Sequence, residues 1–455
     1  MKNFTATKLY ALVFGLFLGL AIWKFGNPVI LDQTIDPPAT LSEFWNFAWP
    51  THWANWILLP LVVVGAALSF KNNISWPGSK WLWLLPLAWL GWQFLSATQS
   101  VDVNLTSATL WQFSGCTACY FIGAFLFSAR PAQNFLLIGI LVAFTFCLVR
   151  AVDQKLFEFP QNHQMLVEGA SNGWTNFPPE TIAIMKRDNI IITTNGLDVP
   201  NPVILTKIAK GRVSGTMVYP NALAGLILML WPVSLALVFD LTVKLKSPIR
   251  LAAIALAIFL GGAAFIWTGS KLGWLIGIAI AGLFVLRLDW SKKMKVATVA
   301  SVLVLGLGIF TMRFQHYFAT GATSVGARFD YWRAAIQTTT THPILGTGPG
   351  TFQRPYAQLK STDSEMARLA HNDYLEQFSD SGLVGGLAFG AWILVSLRAI
   401  GKQIWSRRDG ISFAIYVGLL GWFAQGFGEF GLYVPALAWI AFTLLGMLKS
   451  FDEPL

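Results

Sequence analysis

Long apolar runs separated by short polar joints set the pattern of this 455-residue chain. Runs close to the roughly 20 residues that cross ~30 Å of hydrocarbon lie at 9–23, 55–70, 81–98, 109–128, 133–149, 220–239, 251–268, 272–288, 296–312, 382–400, 411–428 and 432–448. The pattern predicts an all-α fold, a polytopic transmembrane helical bundle of about twelve spans with two long extracytoplasmic loops. It divides the chain into N-terminal spans (1–149), a polar loop (150–219), central spans (220–312), a second polar loop (313–381) and C-terminal spans (382–455).

In the first loop, Thr181 to Lys186 and Asn189 to Thr194 are β-prone and flank Arg187 and Asp188, which predicts a hairpin. The second loop predicts a helix over 326–340, a Gly/Pro turn cluster from His342 to Gly350, and a helix from about Ser364 toward the next span. Trp45, Trp49, Trp53 and Trp56 recur at helical spacing, on one face of a helix that Pro50 would bend. Such a stripe serves as an aromatic anchor in the outer leaflet or as a surface where a lipid substrate approaches.

Composition agrees with a bilayer. Hydrophobic residues make up 55% of the chain and charged ones 12%, half the usual share in soluble proteins. The net charge of +10 would raise nucleic acid as a partner in a soluble chain. Here most of it follows the excess of Lys and Arg in cytoplasmic loops. One side collects the basic residues from Lys2 and Lys8 through Lys292, Lys293 and Lys295 to Arg407, Arg408 and Lys449. The short loops opposite hold only Lys24 and Lys271. Both termini are therefore expected in the cytoplasm and both long loops outside it. The first apolar run lacks a small-residue cleavage site and is expected to be a retained helix.

Cys116, Cys119 and Cys147 fall in apolar runs, and the Cys-x-x-Cys pair has no partner pair, so they are expected to be small packing residues. The five histidines show no metal-ligand spacing, and neither a P-loop nor a serine elbow is present. No metal and no cofactor are expected. The spans carry almost no Asp or Glu, Glu429 being the nearest case. Proton-coupled transporters place carboxylates at mid-membrane, so a transporter of an anionic lipid or solute is the weaker of two readings.

The stronger rests on arginines outside the expected cytoplasmic side. Arg212 stands in RVSGTMVYPN, and Pro220 suits the first turn of the span that follows. Arg313, Arg328 and Arg333 lie in the second loop. His371 opens HNDYLEQFSDSGLVGG, where helical spacing would align it with Tyr374 and Leu375. Guanidinium groups match phosphate oxygens in pairs and keep their charge. A neighbouring imidazole can take a proton from a hydroxyl. Loop solubility and packing ion pairs are the competing explanation.

Four segments together resemble the O-antigen ligase and O-antigen polymerase superfamily: 212–225, TGSKLGWL at 268–275, 327–352 and HNDYLEQFSDSGLVGG at 371–386. The resemblance implies a metal-independent membrane glycosyltransferase whose donor is a glycan on undecaprenyl pyrophosphate. Ligases pass it to lipid A-core, polymerases to another glycan, and relatives to protein hydroxyls. Membrane lipids surround it, and nucleic acid is not a partner. By motif, Arg212, Arg328 and His371 are the implied catalytic residues, with ligase the preferred reading. Arg333, Lys271, Arg313, Asn221 and Tyr374 are candidates for substrate contacts. Two departures stand out. Ser270-Lys271 replaces a common Ser-Arg, which keeps charge and loses the planar fork. Asp380-Ser381-Gly382 replaces Glu-x-Gly with a shorter carboxylate. Ahead of Arg212 the 150–219 loop carries no recognised motif and is a candidate for acceptor choice.

Overall fold

The computed structural model describes residues 2–71, 80–319, 323–362, 364–406 and 409–449; Arg407 and Arg408 of the charge asymmetry lie outside the described residues. Helices α1 (Lys2–Lys24), α2 (Leu41–Asn46), α3 (Thr51–Lys71), α4 (Lys80–Ala97), α5 (Val103–Leu126) and α6 (Arg130–Asp153) form the first group. The segment after them carries α7 (Phe159–Ser171), α8 (Pro179–Arg187), strands β1 (Ile191–Thr194) and β2 (Leu197–Pro200), and α9 (Pro202–Lys210). Central helices are α10 (Pro220–Leu241), α11 (Ser247–Thr268), α12 (Lys271–Arg287) and α13 (Lys292–Ala319). The second polar segment holds α14 (Thr323–Thr341) and α15 (Gln353–Leu359), followed by α16 (Asp373–Ser406), α17 (Gly410–Gln425) and α18 (Pro435–Lys449).

Every apolar run of the sequence falls on one of these helices. Among the described residues, α1, α3, α10, α11, α13, α16 and the helix beginning with α6 are long and apolar enough to cross a membrane; α17 and α18 are shorter apolar helices. Helix α18 is apolar on all sides and buried throughout 435–448, as a helix must be when it forms the centre of a bundle. It lies so close to α5 that a Cβ on Gly446 would clash with the Tyr120 carbonyl oxygen. Close approach through small residues is how helices associate where lipid is as apolar as leucine. Helices α11 and α13 instead expose Leu251, Val304 and Leu305, more than half of each side chain. Apolar helices buried in the middle and apolar helices facing outward describe a membrane protein. Cys116, Cys119 and Cys147 are free and buried.

Three local expectations need correction. The hairpin exists but pairs β1 with β2, Thr194 opposite Leu197. The turn is Asn195-Gly196, both at positive φ (54° and 78°), and Thr181 to Lys186 belongs to α8. Asn-Gly supplies the left-handed pair that a two-residue hairpin turn requires. No helix starts at Ser364; α16 begins at Asp373 because Asn372 caps it, accepting from the Tyr374 and Leu375 amides. The tryptophan stripe is broken between α2 and α3 around Pro50, so Trp49 is buried while Trp45 and Trp56 are exposed. Lys24 explains its own place against the charge trend. It is buried and donates to the Phe44, Trp45 and Phe47 carbonyls at the end of α2 (2.6–3.1 Å).

Candidate active site

The loop between α17 and α18, GFGEFGLY, places one carboxylate where five elements meet. Glu429 is buried, receives three hydrogen-bond donors and faces a histidine. Oε1 accepts from Arg328 of α14 (2.6 Å) and from the Asn221 amide of α10 (2.7 Å). Oε2 accepts from the Tyr219 hydroxyl (2.7 Å) and faces His371 Nδ1 at 3.4 Å. Burial pushes this carboxyl up, but His371, Arg328 and Tyr219 outweigh it and hold Glu429 below its usual range. Glu429 is therefore the anion of the site. Burial and that same carboxylate push the Tyr219 hydroxyl well up, which keeps it a donor.

Arg212 is drawn in by its own contacts. Its Nε donates to the Thr268 carbonyl (2.6 Å) and its terminal nitrogen to Asn221 Oδ1 (2.7 Å). Asn221 thus relays Arg212 to Glu429. Burial is the main cause lowering the Arg212 pKa, and the Arg328 charge adds to it; a guanidinium stays protonated regardless. Ser270 caps α12 by accepting from the Gly273 amide, and this fixes Lys271 at the helix start. The ammonium of Lys271 sits 3.8 Å from the centre of the Tyr317 ring. Burial, then the nearby Arg212 and Arg328 charges, lower Lys271 to about 8.

Arg212, Asn221, Lys271, Arg328 and Glu429 all line one cavity of about 490 Å³. Its remaining wall is mostly apolar, including Leu275, Phe310 and Phe427, with Ser270, Tyr317 and Ser324 among it. Three cations and one carboxylate beside apolar side chains suit an anionic ligand with an apolar portion.

His371 lies just outside the helix it was expected to join, with φ at +51°. That conformation is costly for a non-glycine residue and marks a backbone held by its surroundings. The holders are specific. Asn372 donates to the Phe427 carbonyl, and the Asp373 amide reaches the Gly426 and Glu429 carbonyls. The Asp373 carboxylate accepts from the Leu432 amide. His371-Asn372-Asp373 therefore clamps the Glu429 loop, and the imidazole lies between Tyr331 and Phe430. Nδ1 faces Glu429, which leaves Nε2 as the ring nitrogen turned away from that carboxylate; His371 is not among the residues that line the cavity. Arg328 Nε and Trp332 Nε1 are buried donors without a hydrogen-bond partner among the described residues.

The other candidates lie elsewhere. Arg333 is exposed beside Asp330 (3.6 Å). Arg313 is exposed and close to the Phe314 ring. Tyr374 donates to the Phe423 carbonyl and stacks on Phe427, a packing role beneath the site. Asp380 is buried and accepts from the Gly350 amide (2.7 Å) and the Tyr433 hydroxyl (3.2 Å), so it secures the turn cluster. Gly382 follows at φ +69°, where α16 kinks and a Cβ would meet the Ile344 carbonyl. Glu429 is the residue that sequence reasoning undervalued. Its signal was a lone carboxylate between glycines at the end of an apolar run.

Comparison with known proteins bears on the same region. Residues 254–390 match the family model described as O-Antigen ligase. The match takes in Lys271, Arg328 and His371, while Arg212 and Glu429 lie to either side. An uncharacterized protein of Haemophilus influenzae is 28% identical over 156 residues, 29% of this chain and 38% of that protein. The chain thus covers well under half the length of that relative. The match over residues 254–390 therefore supports a relation of this part of the chain to the O-antigen ligase family.

Proposed function

We propose that the protein transfers a glycan from undecaprenyl pyrophosphate to an acceptor hydroxyl. In this reading it acts as an O-antigen ligase on lipid A-core. It lies in the bacterial inner membrane with its termini in the cytoplasm and its site facing the periplasm. The observation that supports this most is the shared cavity of Arg212, Lys271 and Arg328 with His371 fixed across Glu429.

The chemistry follows from those positions. His371 Nε2 removes the acceptor hydroxyl proton as that oxygen bonds to the anomeric carbon. The bond from the anomeric carbon to the pyrophosphate oxygen breaks. Arg328, Arg212 and Lys271 take up the charge that develops on the departing pyrophosphate, a task fixed donors perform well in a water-poor site. Glu429 orients the imidazole and stabilises its protonated form, as a carboxylate does behind a catalytic histidine. Arg313, Arg333 and Tyr374 have no assigned part in this step.

The deciding experiment is deletion of the gene with a glycan profile. Loss of long chains from the lipid core, with lipid-linked polymer intact, is expected of a ligase. Accumulation of single repeat units would instead identify a polymerase, and an unchanged profile would reject both. Purified protein should also transfer glycan in EDTA, because the cationic cavity supplies the positive charge at the leaving group.

A further inference from the structure

A second polar cavity, of about 290 Å³, opens between the 3₁₀ turn Val29–Thr34, the start of α3 and the start of α5. It is a different cavity from the one around Glu429 but lies at the same end of the bundle. The Val101 amide and Thr106 hydroxyl bond the Thr347 and Pro349 carbonyls, and Asp102 pairs with Arg354. Those contacts join α5 to the turn cluster that Asp380 secures.

The wall of this cavity is rich in polar side chains. Asp32 and His52 form a pair, His52 Nδ1 lying 2.8 Å from Asp32 Oδ2. The other Asp32 oxygen accepts from the Thr51 hydroxyl and the His52 amide, which holds the carboxylate in place. Around this fixed pair stand Gln33, Asn55, Asn104 and Trp111. Among the described residues, no hydrogen bond is made by any of those four side chains. Gln33 and Asn104 are exposed and Asn55 is half-buried, so their amides are open to a ligand at the cavity. Trp111 is half exposed and also borders a neighbouring cavity of about 370 Å³. It stands as an open aromatic wall between two hollows.

Amide groups that donate and accept, a carboxylate–imidazole pair and an exposed indole are complementary to a polyhydroxylated ring. Sugar hydroxyls need both donors and acceptors, and the C–H face of a pyranose is apolar enough to lie on an indole. Pockets with an apolar wall and a few fixed polar groups bind small ligands in this manner. We propose that this cavity is a saccharide-binding subsite, with Trp111 as the stacking platform and Asn55, Asn104, Gln33 and the Asp32–His52 pair as hydroxyl partners. It holds a sugar away from the reacting bond, on either the acceptor or the donor glycan. The inference rests on the transferase reading for the source of that sugar.

The test uses the full chain in lipid nanodiscs and two water-soluble probes released from the host's lipopolysaccharide, the core oligosaccharide and the polymeric O-chain. Binding is measured without turnover for wild type, Gln33→Ala, Asn104→Ala, Trp111→Ala and Trp111→Phe. One probe is expected to bind, and the three alanine variants should each weaken it about tenfold, near the worth of one hydrogen-bonding or stacking contact. Trp111→Phe keeps a ring and should stay within about threefold. Dependence of core binding on these residues assigns an acceptor subsite; dependence of O-chain binding assigns a donor subsite. Failure of wild type to bind either probe, or alanine variants within twofold of wild type for both, overturns the proposal. Transfer assayed on the same samples separates the two readings. Sugar binding that depends on Trp111 without any transfer would sink the proposed reaction and leave the subsite standing.

Discussion

The two polar segments look alike in the sequence and differ in the fold. Each forms a small apolar centre of its own: Leu166, Trp174, Met185 and Ile191 in 150–219; Tyr331, Phe352 and Tyr356 in 313–381. Their attachments separate them. In the first segment, α7, α8, α9 and the hairpin chiefly contact one another, and firm anchors appear only at the base, where Gln154 and Lys155 hold Gly211 to Gly215. The second is bound to the spans along its length. Leu345 and Asp380 carbonyls accept from Ser96 of α4, Arg354 pairs with Asp102, and Arg328 reaches Glu429. A segment that must place a charged group to within a fraction of an ångström needs many fixed points. A segment that only shapes access does not.

Glu429→Gln should have the largest effect, because it removes the charge that Arg328 and His371 share. Transfer should fall about 10⁴-fold, the scale of neutralising the carboxylate behind a catalytic histidine. Single-turnover rates in nanodiscs measure it, and a loss under tenfold would make Glu429 a packing residue. His371→Asn keeps a side chain that tolerates positive φ, so the loop should persist while the base is lost. Turnover should drop about 10²–10⁴-fold, with donor affinity within about threefold; wild-type turnover would remove His371 from the mechanism. Arg328→Lys retains charge without the planar fork, and should weaken transfer about 10- to 100-fold. Equal activity would show that charge alone suffices.

Lys271 gives a smaller, pH-dependent effect. Its pKa is lowered to about 8, so the free protein loses that charge as pH rises from 7 to 9. The donor KM should therefore rise, by roughly fivefold, as one of three phosphate-facing cations is neutralised. In Lys271→Arg the KM should stay flat over that range; a wild-type profile as flat would detach Lys271 from donor binding. Trp174→Ala should matter least to transfer. It opens the small centre of 150–219, a change that costs a core about 3–5 kcal/mol, and limited proteolysis should accelerate there. Turnover should stay within about threefold, and a larger loss would mean that this segment takes part in holding the acceptor.

The bundle was legible because each apolar run imposes a helix whatever its partners. The cationic residues were legible for a similar reason: Arg212 and Arg328 are among the basic residues that lie away from the side on which the short loops collect theirs. What escaped depended on contacts far apart in sequence or on a single backbone angle. Glu429 gains its meaning from Asn221, 208 residues away, and Arg328, 101 away. The start of α16 at Asp373 depends on His371 taking a positive φ, which helical periodicity does not encode. The hairpin register slipped because β-propensity pointed to Thr181–Lys186, whereas Asn195-Gly196 carried the turn. A turn signal outranks propensity where the two compete.

The carboxylate beneath the cations also bears on how the cycle ends. A pocket of Arg212, Lys271 and Arg328 alone would hold a released lipid pyrophosphate as firmly as an arriving donor, or more so. Glu429 lies within that ring, and its oxygens are already committed to four neighbours. On the proposed reading it offers the product nothing and repels it, and this fixed negative charge limits product inhibition. It also sets the departure rate, a step that governs turnover in many enzymes.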